Sequence, residues 1–159
     1  MEKILPLLRH DARTSIADLA KATNLSEAEV VARIRALEED GVILGYQAIV
    51  DPKKIAREVV TSVIEVKITP EREGGFDKLA ERIARFPEVQ NCYLMSGGFD
   101  LLVIVEGRTL QEVAGFVSEK LSTIKGVLST ATHFRLKVYK ENGVEIRREA
   151  APQRLAVAP

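Results

Sequence analysis

The side chains with most to offer a partner lie in SIADLAKATNLSEAEVVARIRALEEDGVILGY, residues 15–46. Ser15-x-x-Asp18 and Ser26-x-x-Glu29 sit 11 positions apart, each patterned as a capping box in which a hydroxyl satisfies a free helix N–H and the acid reaches back. Past the second box come Glu27, Ala28, Val31, Ala32, Arg33 and Arg35. On a helix set in a DNA major groove, small alanines permit close approach, a valine can touch a thymine methyl and an arginine can reach guanine or phosphate. With Ser15 and Ser26, these are the candidate DNA-contacting residues. A second group, Ser96-Gly97-Gly98-Phe99-Asp100, suits a zwitterion. Its glycines allow positive φ, so backbone N–H groups can face a carboxylate, and Asp100 could take an ammonium. The plainer alternative is a hairpin in which Asp100 bonds its own turn.

Nothing in the chain reads as catalytic. His10 closes a short helix, and His133 falls in a strand on the face opposite Thr132 and Phe134. No Ser/His/Asp or Cys/His constellation can be argued. Gly97-Gly98 is no phosphate loop, because the lysine and the following helix are both missing. The lone Cys92 excludes an internal disulfide and a multi-cysteine metal site, and it reads as a buried structural thiol. No metal and no cofactor is expected.

Three helices must hold the first group. Ile4, Leu5, Leu7 and Leu8 suggest a short one, with Pro6 tolerable only in its first turn. The second runs from about Ile16 to Ala22. Thr23-Asn24-Leu25 leaves room only for a tight turn. The third runs from Glu27 to Asp40 and stops at Gly41. Short helix, turn and longer helix make a helix-turn-helix, whose second helix enters the major groove. Along that helix Val30, Ile34 and Leu37 share the inward face, while Ala28, Ala32 and Arg35 point outward, with Val31 between and Arg33 placed as a phosphate clamp. The ordinary alternative is an amphipathic helix with a solvated charged face. Glu27 and Glu29 complement the helix dipole. Val42 to Val50 reads as a small hairpin, the wing, and Asp51-Pro52-Lys53-Lys54 opens a linker spanning 51–58.

Charge argues against tight binding by one copy. The whole chain is formally neutral, and residues 1–50 carry six basic against eight acidic side chains, a net of minus two. Phosphate neutralisation supplies most non-specific affinity, so binding needs several heads, good base contacts, or both. Pro6, Arg9, His10 and Asp11 interrupt any leader-like apolar run, and no stretch reaches the roughly 20 apolar residues of a membrane span. A soluble, cytoplasmic protein is expected.

Beyond the linker the period changes to two. Val60 to Ile68 alternates as a strand and Gly74-Gly75 turns the chain. Phe76, Leu79, Ala80, Ile83 and Ala84 keep helical spacing. Val89 to Ser96 and Leu101 to Val105 form strands around the Gly97-Gly98 hairpin. Thr109-x-x-Glu112 is a third capping box, opening a helix with Leu110, Val113, Ala114, Val117 and Leu121 on one face. Thr130 to Tyr139 is a fourth strand. The order β-α-β-β-α-β is the ferredoxin-like split unit. The fold class is therefore α+β: a winged helix-turn-helix over 1–50, the linker, a ferredoxin-like domain over 59–141, and a tail over 142–159 with a last edge strand and a loose end.

DARTSIADLAKATNLSEAEVVARIRALEEDGVILGY, FPEVQNCYLMSGGFDLLV and the split β-α-β-β-α-β order together resemble the leucine-responsive/asparagine-operon (Lrp/AsnC) family of bacterial and archaeal feast/famine regulators, over about residues 2–140. The resemblance implies a transcriptional regulator whose C-terminal domain binds a small effector, commonly an amino acid. It implies dimers that pair their sheets, often assembled into octamers, and frequent autoregulation. The recognition helix maps onto Ser26 through Glu39. The effector pocket maps near Gly97 through Asp100, with Thr132 completing it from a neighbour. Three departures stand out: the net acidic head, Gly98 where a polar residue is frequent, and the short arm before the first helix.

A dimer would read half-sites about 34 Å apart, or multiples of that, and multivalency would offset weak single heads. Two other readings compete. One is an amino-acid-sensing oligomer without DNA binding, favoured by the acidic head. The other is a tetrapyrrole-modifying enzyme, since Lrp-like folds resemble sirohaem decarboxylases; ILGYQAIVDP has no histidine to serve it.

Overall fold

The computed structural model describes residues 3–55, 59–70 and 75–146, which divide into two compact units, Met1–Ile49 and Val50–Pro159. In the first, α1 (Ile4–His10), α2 (Ile16–Thr23) and α3 (Glu27–Glu39) bury Ile4, Leu8, Leu19, Ala20 and Val30, with Leu7, Ile16, Leu25, Ile34 and Ile43 packed around them. Pro6 sits in the first turn of α1, where its missing N–H has no intrahelical partner to lose. Val30 and Ile34 take the inward positions that the spacing predicts, and Leu37 is half-buried beside them.

The turn between α2 and α3 is made by Asn24, which adopts the left-handed conformation at φ 57° while Leu25 N–H bonds the Ala20 carbonyl. Asparagine tolerates this region because its short side chain can bond locally. The end of α3 is a Schellman motif: Gly41 at φ +67° donates to Glu38 O and Val42 donates to Leu37 O, both near 3 Å.

The expected wing hairpin does not form. Residues 43–50 have no strand pairing within the described chain, and Leu44 is 93% exposed. Nine residues would leave each arm of a hairpin three or four long, and an isolated two-stranded hairpin is marginal in water. The segment is instead tied back by the Tyr46 hydroxyl, which donates to Glu38 at 2.9 Å.

The second unit opens with a 3-10 turn at Pro52–Lys54, closed by Lys54 N–H on the Asp51 carbonyl. The remainder of the expected linker, 56–58, lies outside the described residues. The split unit then appears as expected: β1 (Val60–Ile68), α4 (Asp77–Ala84), β2 (Val89–Leu94), β3 (Leu101–Gly107), α5 (Leu110–Gly115) and β4 (Val127–Phe134). All ladders of the four-stranded sheet are antiparallel, in the order β2-β3-β1-β4. Ile64, Val66, Ile68, Leu101, Val103 and Val105 point to one face and pack against Leu79, Ile83, Phe116, Leu121 and Ile124. Phe86 and Phe116 add an edge-to-face pair, centroids 5.5 Å apart. Cys92 is half-buried against this core, its Sγ 3.9 Å from the Ala80 carbonyl, and burial pushes its thiol pKa up, as a structural thiol requires.

Three elements depart from expectation. After six residues α5 widens into a π-helical turn, Phe116–Leu121. The wider turn brings Phe116 and Leu121, five residues apart, to the same buried side; upstream of it Leu110 and Ala114, expected on the inner face, are exposed. The fourth strand starts at Val127 and ends at Phe134 rather than running to Tyr139. Val144–Glu145 (β6) pairs with Lys140–Glu141 (β5) as a separate two-stranded piece and does not extend the main sheet. Gly74 of the expected Gly74-Gly75 turn, and the tail from 147 onward, lie outside the described residues.

Candidate functional site

The geometry of α3 comes from its two ends. At its start Ser26 Oγ accepts from Glu29 N–H at 3.3 Å, and Glu29 Oε2 accepts from both the Ser26 N–H (2.8 Å) and hydroxyl (2.7 Å). This is a complete capping box. Ser15 is only half of one: it accepts from Asp18 N–H at 3.1 Å, but the Asp18 carboxylate takes the Ser15 hydroxyl rather than its backbone N–H. Aspartate is one methylene shorter than the glutamate of a full box. Both candidate serines therefore spend their hydroxyls on helix starts.

The Ser26 backbone N–H, with the Ser26 hydroxyl behind it, holds the Glu29 carboxyl below the usual glutamate range. A depressed folded-state pKa stabilises above the ordinary glutamate value, and the contribution is lost as pH falls through the lowered value. Acidification should accordingly release the first turn of α3, seen as a lower protection factor of the Ser26 amide once the intrinsic pH dependence of exchange is divided out. A protection factor that stays flat down to the depressed value would take the carboxylate out of the cap.

The outward face of α3 carries Glu27, Ala28, Val31, Ala32, Arg35 and Glu39, which with Ile16 of α2 line an open groove of about 640 Å³. Ala28, Ala32 and Arg35 are exposed as expected, and Val31 is 53% exposed. Arg33 is also exposed, and its charge contributes to the low Glu29 pKa. Glu39 was not singled out from the sequence, yet its Oε1 lies 3.6 Å from Arg35 Nε. The i, i+4 spacing of the two residues was the available signal. Arg35 thus emerges from the helix already paired with an acid, and Glu27 flanks the other end of the same face.

The turn between β2 and β3 is stitched into the sheet. Gly97 takes a positive φ of 140°, and Gly98 does not. Met95 N–H bonds the Asp100 carbonyl at 2.8 Å, and Asp100 N–H bonds Val66 O at 3.0 Å. Asp100 Oδ2 accepts from the Ile68 N–H at 2.8 Å, where the β1–β4 register shifts. The carboxylate is therefore partly engaged by β1, neither aimed wholly at a ligand nor folded onto its own turn. Ser96, Gly97 and Gly98 are exposed, with Phe99 and Asp100 half-buried. Thr132 is half-buried on β4 opposite Ile64, and His133 points to the other face, 3.4 Å from Glu65.

Substituting Asp100 by alanine strands the Ile68 N–H, at an expected cost of about 1–3 kcal/mol. Asparagine keeps an acceptor oxygen and should cost less. Denaturant melts of the two variants test this, and equal stability would mean the carboxylate does not support the sheet.

No group of three or more His, Cys, Asp or Glu residues able to hold a metal ion occurs among the described residues. None of their helices is long and apolar enough to cross a membrane.

Two family models match the chain. The AsnC-type helix-turn-helix domain covers residues 2–38 and the Lrp/AsnC ligand binding domain covers residues 61–145. The chain is similar to YugG, an uncharacterized HTH-type transcriptional regulator of Bacillus subtilis: 44% identical over 158 residues, covering 99% of this chain and 95% of that protein. Among solved structures it resembles an AsnC family transcriptional regulator from Agrobacterium tumefaciens at 28% identity and TM-score 0.68, covering 92% of this chain and 97% of that one. A Neisseria meningitidis transcriptional regulator solved with L-Met superposes at TM-score 0.67 and 23% identity, covering 92% and 96%.

Proposed function

The chain belongs to the Lrp/AsnC family, and from that premise we propose that α3 reads a DNA half-site while the turn at Gly97–Asp100 takes an amino acid that biases assembly. The protein is a DNA-binding transcriptional regulator that responds to a small effector. The observation that carries the reading of α3 is its capped, exposed face of small residues around Arg35. Ala28, Val31, Ala32 and Arg35 face the base edges, Arg33 takes a phosphate, and Ser15, Ser26 and Glu27 stand where the helix starts meet the backbone. For the effector, positive φ at Gly97 and the exposed Ser96 and Gly98 support a backbone cradle for a carboxylate, with Phe99 and Asp100 beside it and Thr132 supplied by a neighbouring copy.

The working unit in this reading is a homodimer that assembles further, up to an octamer. Support comes from the unpaired segment 43–50 and from Leu44 and Leu136, which a lone chain leaves 93% and 95% exposed. The reading includes a cytoplasmic location and assigns no reaction, metal or cofactor. An effector can move DNA affinity only by its differential affinity for two assembly states, typically about 1–3 kcal/mol.

The test is a gel shift on DNA upstream of the chain's own gene, against random competitor, at low and physiological salt. The same titration is repeated with each L-amino acid, methionine first, while light scattering reports subunit number. A specific, salt-sensitive complex whose affinity or size changes with one amino acid supports the whole proposal. Unchanged size and affinity with every amino acid would remove the effector link. No complex at either salt would favour the sensing oligomer without DNA binding, to which the acidic head already points.

A further inference from the structure

Resting on α3 as the helix that enters the major groove, we infer that the head selects its half-site through a thymine 5-methyl group held against Val31. Val31 is 53% exposed at the middle of the outward face, and the buried cluster of its unit uses Val30 instead. Its neighbours on that face are Ala28 and Ala32, and Ile16 of α2 extends the apolar surface across the same groove. Between Glu27 and Glu39, the one side chain among the described residues lining this groove that can donate a hydrogen bond to a base is Arg35.

A base pair offers acceptors, donors or the thymine methyl in the major groove. The centre of this strip has no polar group to answer the first two, so the methyl is the signal it can register. The alanines matter because they let the base edge approach until the methyl is enclosed. The carboxylates at both ends repel phosphates, so an approach that finds no matching base gains little from charge. Cytosine, lacking the methyl, leaves Val31 facing water. The geometry therefore assigns Val31 to identity at one pyrimidine position and leaves Arg35 for a neighbouring guanine.

The experiment uses the full-length protein and a half-site selected from a random duplex pool. Each thymine in the selected site is replaced in turn by deoxyuridine, which removes the methyl and preserves pairing. Wild-type affinity is expected to fall about fourfold at one thymine per half-site, the factor that burying one methyl-sized group supplies. Val31→Ala, whose fold is checked by circular dichroism, should bind the thymine and uracil sites equally. A sequence-selected site at which uracil is tolerated everywhere, or is equally harmful to both proteins, overturns the role of Val31 and leaves the regulator reading standing. Failure to select any sequence overturns both.

Discussion

A Leu19→Ala chain is expected to lose DNA binding altogether while its four-stranded sheet stays folded. Leu19 is fully buried in a small cluster whose other buried members, among the described residues, are Ile4, Leu8, Ala20 and Val30. Leucine-to-alanine changes at such sites cost about 2–5 kcal/mol. The unit spans 49 residues, for which ordinary stabilities of about 0.05–0.15 kcal/mol per residue give roughly 2–7 kcal/mol in all. The substitution removes most of that range. The sheet unit has its own core around Ile64, Val103 and Phe116 and shares no buried residue with the cluster. Amide spectra should lose the signals of α1–α3 and keep those of β1–β4, and the gel-shift complex should vanish. A variant that still binds DNA, with helical signals intact, would show that the head's stability does not rest on this cluster.

The second large effect concerns discrimination rather than folding. Arg35→Ala should lower the ratio of specific to random-sequence binding by about 5–150-fold, the range for one bidentate arginine–guanine pair. The side chain is solvent-facing and its ion pair to Glu39 is exposed, so the helix survives its removal. Glu39→Gln is the complementary change. It frees the guanidinium and removes a negative charge from the reading face, so affinity for random DNA should rise and selectivity fall. Competition titrations on matched and scrambled duplexes read both. If Arg35→Ala weakens all sequences alike and reduces the salt slope by about one, Arg35 is a phosphate contact and the base-reading role passes to its neighbours.

What the sequence made legible divides along a physical line. The start of α3 was readable because Ser26 and Glu29 are three apart and bond each other, and its end because Gly41 can hold a positive φ that Val42 cannot. The element order β-α-β-β-α-β was readable from strand-like runs interrupted by two helical stretches. Each of these is local. The misses depend on partners far away in the chain or absent from it. Val42 to Val50 is rich in β-branched and apolar residues but meets no strand among the described residues, so pattern alone suggested a hairpin. Asp100 sits in a turn, yet its carboxylate answers an N–H 32 positions earlier, at Ile68. The π-helical turn leaves no mark in the spacing of Leu110, Val113 and Leu121, because it changes which residues face inward only once Phe116 has a core to enter.

The unpaired run from Ile43 to Val50 has one further consequence. Proteases bind substrates in extended form and need several consecutive residues whose N–H and C=O groups are free of a ladder. This run supplies them at the boundary between the two units. If a second copy covers the run in the assembled protein, the same bonds are shielded there and open in the lone chain. A cut at Leu44–Tyr46 would sever the reading head from the sheet in any unassembled molecule, making survival of the intact chain a clock for assembly.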